Sequence, residues 1–175
     1  YLDNNSTTQI DPKVLESMLP YFKEKYGNPS SSTHAFGWEA SAAIDIAKEQ
    51  ISNLIKGNYK NIIFTSGATE SINLAIKGVS EKLKAKGRHI ITQVTEHNAV
   101  LDTCSALEKR GWEITKLPVQ QNGLIDPKMI EGAIRKDTVL VTIMHANNEI
   151  GVIQPVRKIG NICKRHGVYF MVDAS

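Results

Sequence analysis

Strand-length apolar runs alternate with segments of helical spacing from Asn61 onward, and this alternation narrows the folds open to the chain. The runs are NIIFT (61–65), HIITQV (89–94), WEITKLP (112–118), TVLVTIM (138–144) and VYFMV (168–172). They are rich in Ile, Val, Thr and aromatic residues, as strands are. One helix is expected over about 69–86, stopping at Gly87, and another after His97, stopping near Gly111. DPKMIEGAIR opens with an Asp126 cap and Pro127 at the first helical position, and the segment 155–166 ends at Gly167. Two helices come earlier. Asp11-Pro12 starts the first, with Val14, Leu15, Met18 and Phe22 at helical spacing; the second carries Ala43, Ile44, Ala47, Ile51, Leu54 and Ile55 as one apolar stripe. Strands buried on both faces and separated by helices make an α/β layered domain with a mostly parallel sheet. No repeat, low-complexity tract or interdomain linker interrupts the pattern.

Composition removes several function classes. Hydrophobic residues are 41% and charged residues 22% of 175 residues, enough apolar material for a globular core. The net charge of +3 comes largely from helix surfaces such as SEKLKAKGRH, with no interleaved aromatics, so a nucleic-acid platform is not expected. Cys104 and Cys163 stand apart, outside any CxxC, so no zinc site is expected and a reducing compartment fits. Apolar stretches fall well short of the roughly 20 residues of a membrane span. The start, YLDNNSTT, lacks an initiator Met and a signal-peptide core.

In such a sheet, ligands sit outside the carboxyl ends of the strands. The segments there are SGATES, TEHNAV, HANNEIG and DAS. Gly67 and Ala68 leave room beside the backbone at a helix start, which suits a phosphate, and Thr69 adds a hydroxyl; the alternative is a plain cap by Ser66 or Thr69. His97 offers a flat ring or is an ordinary hydrogen-bonded histidine. In NNEIG, Asn147 shapes the loop while Asn148 faces a ligand, or both serve only the turn. Asp173 ends an apolar run, where a carboxylate is costly without a partner, or it caps a following helix. Taken together they offer a phosphate anchor, a stacking ring, an amide and a carboxylate. That set suits pyridoxal 5'-phosphate, whose pyridine nitrogen needs a carboxylate acceptor to stay protonated.

The runs YLDNNSTT, YGNPSSSTHAFG, IIFTSGATESINLAIKG, HIITQVTEHNAVLDTC, VTIMHANNEIGVIQP and VDAS resemble the N-terminal part of cysteine desulfurases of the NifS/IscS type. These belong to the class V aminotransferase group. The resemblance runs through all 175 residues in the family's order, with Ser6 where the family commonly has Ala. It implies the large domain of the pyridoxal-phosphate-dependent transferase fold type I, mostly parallel with flanking helices. Residues 1–175 would be the N-terminal part of that domain, incomplete, without the small C-terminal domain. It also implies roles: Ala68 and Thr69 on the cofactor phosphate, His97 stacked on the ring and moving protons, Asn148 on the phenolic oxygen, Asp173 on the pyridine nitrogen. The Schiff-base lysine and attacking cysteine are expected beyond Ser175, and Cys104 and Cys163 are expected to be structural thiols.

The implied reaction converts L-cysteine to L-alanine and an enzyme-bound persulfide for iron–sulfur cluster assembly and thio-cofactor synthesis. A homodimer is implied, with an iron–sulfur scaffold protein or another sulfur acceptor as partner. The implied location is the cytoplasm, or the mitochondrial matrix in a eukaryote. The rival readings are a selenocysteine lyase or other class V enzyme, and a non-catalytic half-domain acting as an assembly partner.

Overall fold

The computed structural model describes every residue except Asp3 and Asn5, so those two positions of YLDNNSTT lie outside the described residues. The chain forms two compact units, Tyr1–Phe64 and Thr65–Ser175.

The first unit holds helices α1 (Pro12–Lys23) and α2 (Ala35–Ile55) and a short 3₁₀ turn at Tyr59–Asn61. Asp11 caps α1 by accepting the Lys13 N–H, with Pro12 at the first helical position. The His34 ring caps α2, its Nδ1 accepting the Gly37 N–H. In YGNPSSSTHAFG two glycines allow backbone crossings: a Cβ on Gly27 would meet the Phe36 carbonyl oxygen at 2.1 Å, and one on Gly37 the Ser31 carbonyl oxygen at 1.9 Å. The expected stripes are present but not buried. Val14, Leu15, Met18 and Phe22 of α1 are exposed, as are Ile51, Leu54 and Ile55 of α2, while Ala43, Ile44 and Ala47 are half-buried along an open groove.

The second unit contains α3 (Ala68–Leu83), β1 (His89–Gln93), α4 (Asn98–Glu108), β2 (Glu113–Leu117), α5 (Pro127–Ala133), β3 (Thr138–Met144), α6 (Val156–His166) and β4 (Tyr169–Asp173). The strands form one parallel sheet in the order β2-β1-β3-β4. Side chains alternate across it. Ile90 and Leu140 pack with Ile72 and Ile76 of α3 and with Val100, Cys104 and Leu107 of α4. Ile91, Val141 and Ile143 pack with Ile130 of α5 and with Ile159 and Cys163 of α6. This is the three-layer α/β arrangement that the alternating pattern implies. Fully burying each of these isoleucines contributes about 1.5–3 kcal/mol.

Two strand expectations need correction. NIIFT is not a strand: the 3₁₀ turn takes its first residue, residues 62–65 are irregular, and Ile63 and Phe64 are exposed. Among the described residues no strand pairs with it, and β propensity without a ladder partner does not make a strand. VYFMV does form β4 but is not buried on both faces, with Tyr169 and Val172 exposed. Among the described residues β4 pairs only with β3, so it is an edge strand here. Among the described residues no helix is long and apolar enough to cross a membrane.

Candidate active site

Parallel pairing puts the carboxyl ends of β1, β3 and β4 on one edge of the second unit. From β1 the chain moves to β2 on one side, then crosses to β3 and β4 on the other. The crevice between the ends of β1 and β3 is therefore a topological switch point, where open α/β sheets bind ligands. His97 follows β1, Asn147 and Asn148 follow β3, and Asp173 ends β4. Helix α3 leads into β1 through a short turn and packs on the sheet through Ile72 and Ile76. It runs against the strands, so its first residues, Ala68 and Thr69, lie toward this same edge.

Among the described residues no side chain caps the α3 N-terminus. Ser66 instead donates its N–H and its hydroxyl to Glu70 Oε2, at 2.7 and 2.6 Å, which holds the Glu70 carboxyl below its usual range. Ala68 and Thr69 are exposed and a Cβ on Gly67 would meet nothing within 4 Å. This leaves an open helix start with its positive dipole end toward solvent, which suits an anion.

His97 is exposed and caps α4, its Nδ1 accepting the Ala99 N–H at 3.1 Å. With Nδ1 as acceptor, the neutral ring carries its proton on Nε2. Asn147 is the loop-shaping member of its pair. Its Oδ1 accepts the N–H groups of Glu149 and Ile150, and its Nδ2 donates to the Thr95 carbonyl at 2.9 Å. Asn148 beside it is exposed. Asp173 pairs in register with Met144, and its backbone oxygen accepts the His145 N–H at 2.7 Å. Its half-buried carboxylate accepts the N–H and hydroxyl of Ser175.

Sequence reasoning passed over Glu96. It is 6% exposed, and its Oε1 accepts the Met144 N–H at 2.7 Å. Burial pushes its carboxyl up to about 7, with the Asp173 charge adding to the rise, while the Met144 N–H and the Gln93 side chain pull it down. The signal was available in TEH: Glu96 is a carboxylate in the turn that follows a fully buried strand.

Residues 1–175 match the family described as aminotransferase class-V along their whole length. The chain belongs to the class-V aminotransferase family. Within it, the chain is 54% identical over 175 residues to a probable mitochondrial cysteine desulfurase of Dictyostelium discoideum, covering 100% of this chain and 39% of that protein. It is 53% identical to the cysteine desulfurase IscS of Ehrlichia chaffeensis, covering 100% and 42%. Among solved structures, a NifS-like protein superposes with a TM-score of 0.95 at 41% identity, covering 99% of this chain and 48% of that one. A structure described as SspA in complex with cysteine also gives 0.95 at 41% identity, covering 99% and 50%. The chain thus spans about two-fifths of the length of these curated relatives. The class-V assignment agrees with the motifs read above, and the fold is that of the NifS-like proteins.

Proposed function

We propose that the complete protein carrying this chain is a pyridoxal-phosphate-dependent cysteine desulfurase, converting L-cysteine to L-alanine and an enzyme-bound persulfide. The observation that carries the reading is the convergence of an uncapped helix start, an exposed imidazole, an exposed amide and a carboxylate on one sheet edge. These residues fit pyridoxal 5'-phosphate by donor chemistry: an anion at Ala68 and Thr69, a ring face at His97, a phenolic oxygen at Asn148 and a basic pyridine nitrogen at Asp173. When bound, that cofactor acts as an electron sink for the substrate carbon framework.

The chain's own residues then have separate tasks. Ala68 and Thr69 fix the phosphate through the α3 N-terminus. His97, anchored through Nδ1, has its ring face for stacking and Nε2 for proton transfer. Asp173 keeps a negative charge where the pyridine nitrogen needs a proton. In this reading no lysine of this chain forms the cofactor linkage, and Cys104 and Cys163 do not attack sulfur, because both thiols are buried. The reading extends to a homodimer that passes sulfur to an iron–sulfur scaffold protein or another acceptor, in the cytoplasm or mitochondrial matrix; one relative is named as mitochondrial.

The test is to supply the purified complete protein with L-cysteine and a thiol reductant and to measure alanine and sulfide. Equimolar products, dependent on added pyridoxal phosphate, support the reading. Turnover of selenocysteine alone would give the lyase reading instead, and no turnover of either amino acid would favour a non-catalytic half-domain.

A further inference from the structure

The proposed reaction gives Glu96 no task, yet Glu96 occupies an unusual position. It is 6% exposed, Oε1 holds the Met144 N–H at 2.7 Å, and Oε2 is buried without a hydrogen-bond partner among the described residues. Both side-chain polar atoms of Gln93 beside it are also buried and unpartnered. A buried carboxylate held by one backbone donor is unfavourable when charged. In its neutral form the same group costs less to bury, because no charge then rests on an oxygen enclosed away from water. Burial favours that form, with the proton held up to about pH 7.

The location gives this a consequence. Glu96 directly precedes His97, and Met144 is the register partner of Asp173. The Glu96–Met144 bond therefore ties the turn bearing His97 to the end of β3, opposite Asp173. The titratable groups facing Glu96 are Asp173 from β4, whose charge raises it, and Cys104 from α4, whose thiol is raised in part by Glu96. His97 and His145 are the neighbouring titratable groups along the two tied segments.

We propose that Glu96 is a positioning residue of the pocket: uncharged, it pins the His97 turn to the end of β3 and leaves the local negative charge to Asp173. This rests on reading Asp173 as the cofactor partner. Ionised Glu96 would put a second negative charge beside Asp173 in a site closed to water, set against an anionic cofactor.

The test compares wild type, Glu96→Gln and Glu96→Ala in the complete protein, measuring the pyridoxal-phosphate dissociation constant and the visible spectrum of the bound cofactor from pH 6 to 9. Glutamine keeps the acceptor for Met144 and carries no charge, so it should bind within about threefold of wild type below pH 7. Wild-type affinity should weaken above about pH 7, and the glutamine variant should lack that alkaline limb. Alanine should bind about tenfold more weakly at every pH. An identical alkaline limb in the glutamine variant, or wild-type binding in the alanine variant, overturns the proposal. If alanine does not fold, the glutamine comparison still decides. If the wild type takes up no pyridoxal phosphate, the functional reading falls and this inference with it; if it binds and only the pH limb fails to move, this inference falls alone.

Discussion

Asn147 Nδ2 donates to the carbonyl oxygen of Thr95 at 2.9 Å, joining the loop after β3 to the loop after β1. The same side chain closes its own turn through Oδ1, so one buried amide sets the backbone on which Asn148 is displayed. Asn147→Ala leaves the Thr95 carbonyl and two N–H groups short of partners. It should cost about 1–3 kcal/mol in urea unfolding of the complete protein. Asn147→Asp keeps the acceptor but sets a carboxylate oxygen against the Thr95 carbonyl oxygen, so it should cost at least as much.

His89 is fully buried, with its two ring nitrogens against the hydroxyls of Thr138 at 2.7 Å and Thr115 at 2.8 Å. Burial lowers its pKa, the Arg135 charge adds to the effect, and Asp137 and Glu113 oppose it. The unfolded chain thus binds the proton more readily. Stability from His89 is present above about pH 6.5 and is lost as the pH falls below that. Glu96 has the opposite sign. Its folded pKa of about 7 lies above the ordinary 4.5, so its contribution is full below pH 4.5 and lost as the pH rises toward 7. The loss is roughly 3 kcal/mol. Unfolding free energies between pH 5 and 8 should show a shallower acid limb in His89→Gln, and a smaller fall in stability with rising pH in Glu96→Gln.

Two glycines should respond in opposite directions to alanine. A Cβ on Gly87 would lie 2.1 Å from the Asp137 carbonyl oxygen, so Gly87→Ala should destabilise by about 1–3 kcal/mol. Gly78 sits within α3 with nothing within 4 Å of a Cβ, so Gly78→Ala should stabilise by about 0.5–1 kcal/mol. Thermal unfolding of the two variants side by side reads both effects; a shift of the same sign in both would contradict the assigned packing.

Cys104 and Cys163 are buried, and burial pushes their thiols up to about 12 and about 11. Neither should be labelled by iodoacetamide at pH 8 in the folded protein, and both should be labelled after denaturation. Peptide mapping distinguishes them from any other cysteine, and fast native labelling of Cys104 would contradict its structural role.

The layered fold was legible in the sequence because it depends on period and punctuation. Asp11-Pro12, Asp126-Pro127 and Gly167 mark helix boundaries through local backbone chemistry, and the structure has those caps. NIIFT misled because its strand character needs a pairing partner, which a propensity argument does not see. The apolar stripes of α1 and α2 were visible, but their burial depends on what packs against them. At the site, the exits of β1, β3 and β4 were legible as one edge. The tie from Glu96 to Met144 was not, because it joins residues 48 apart through a backbone N–H that carries no sequence signal.

The most direct test of the central claim is a structure of the complete protein with pyridoxal phosphate bound. The account predicts the phosphate at the N–H groups of Ala68 and Thr69, the His97 ring over the pyridine ring, and the pyridine nitrogen within hydrogen-bond distance of an Asp173 carboxylate oxygen. A cofactor seated away from this sheet edge, or a pyridine nitrogen paired with another residue, would contradict it.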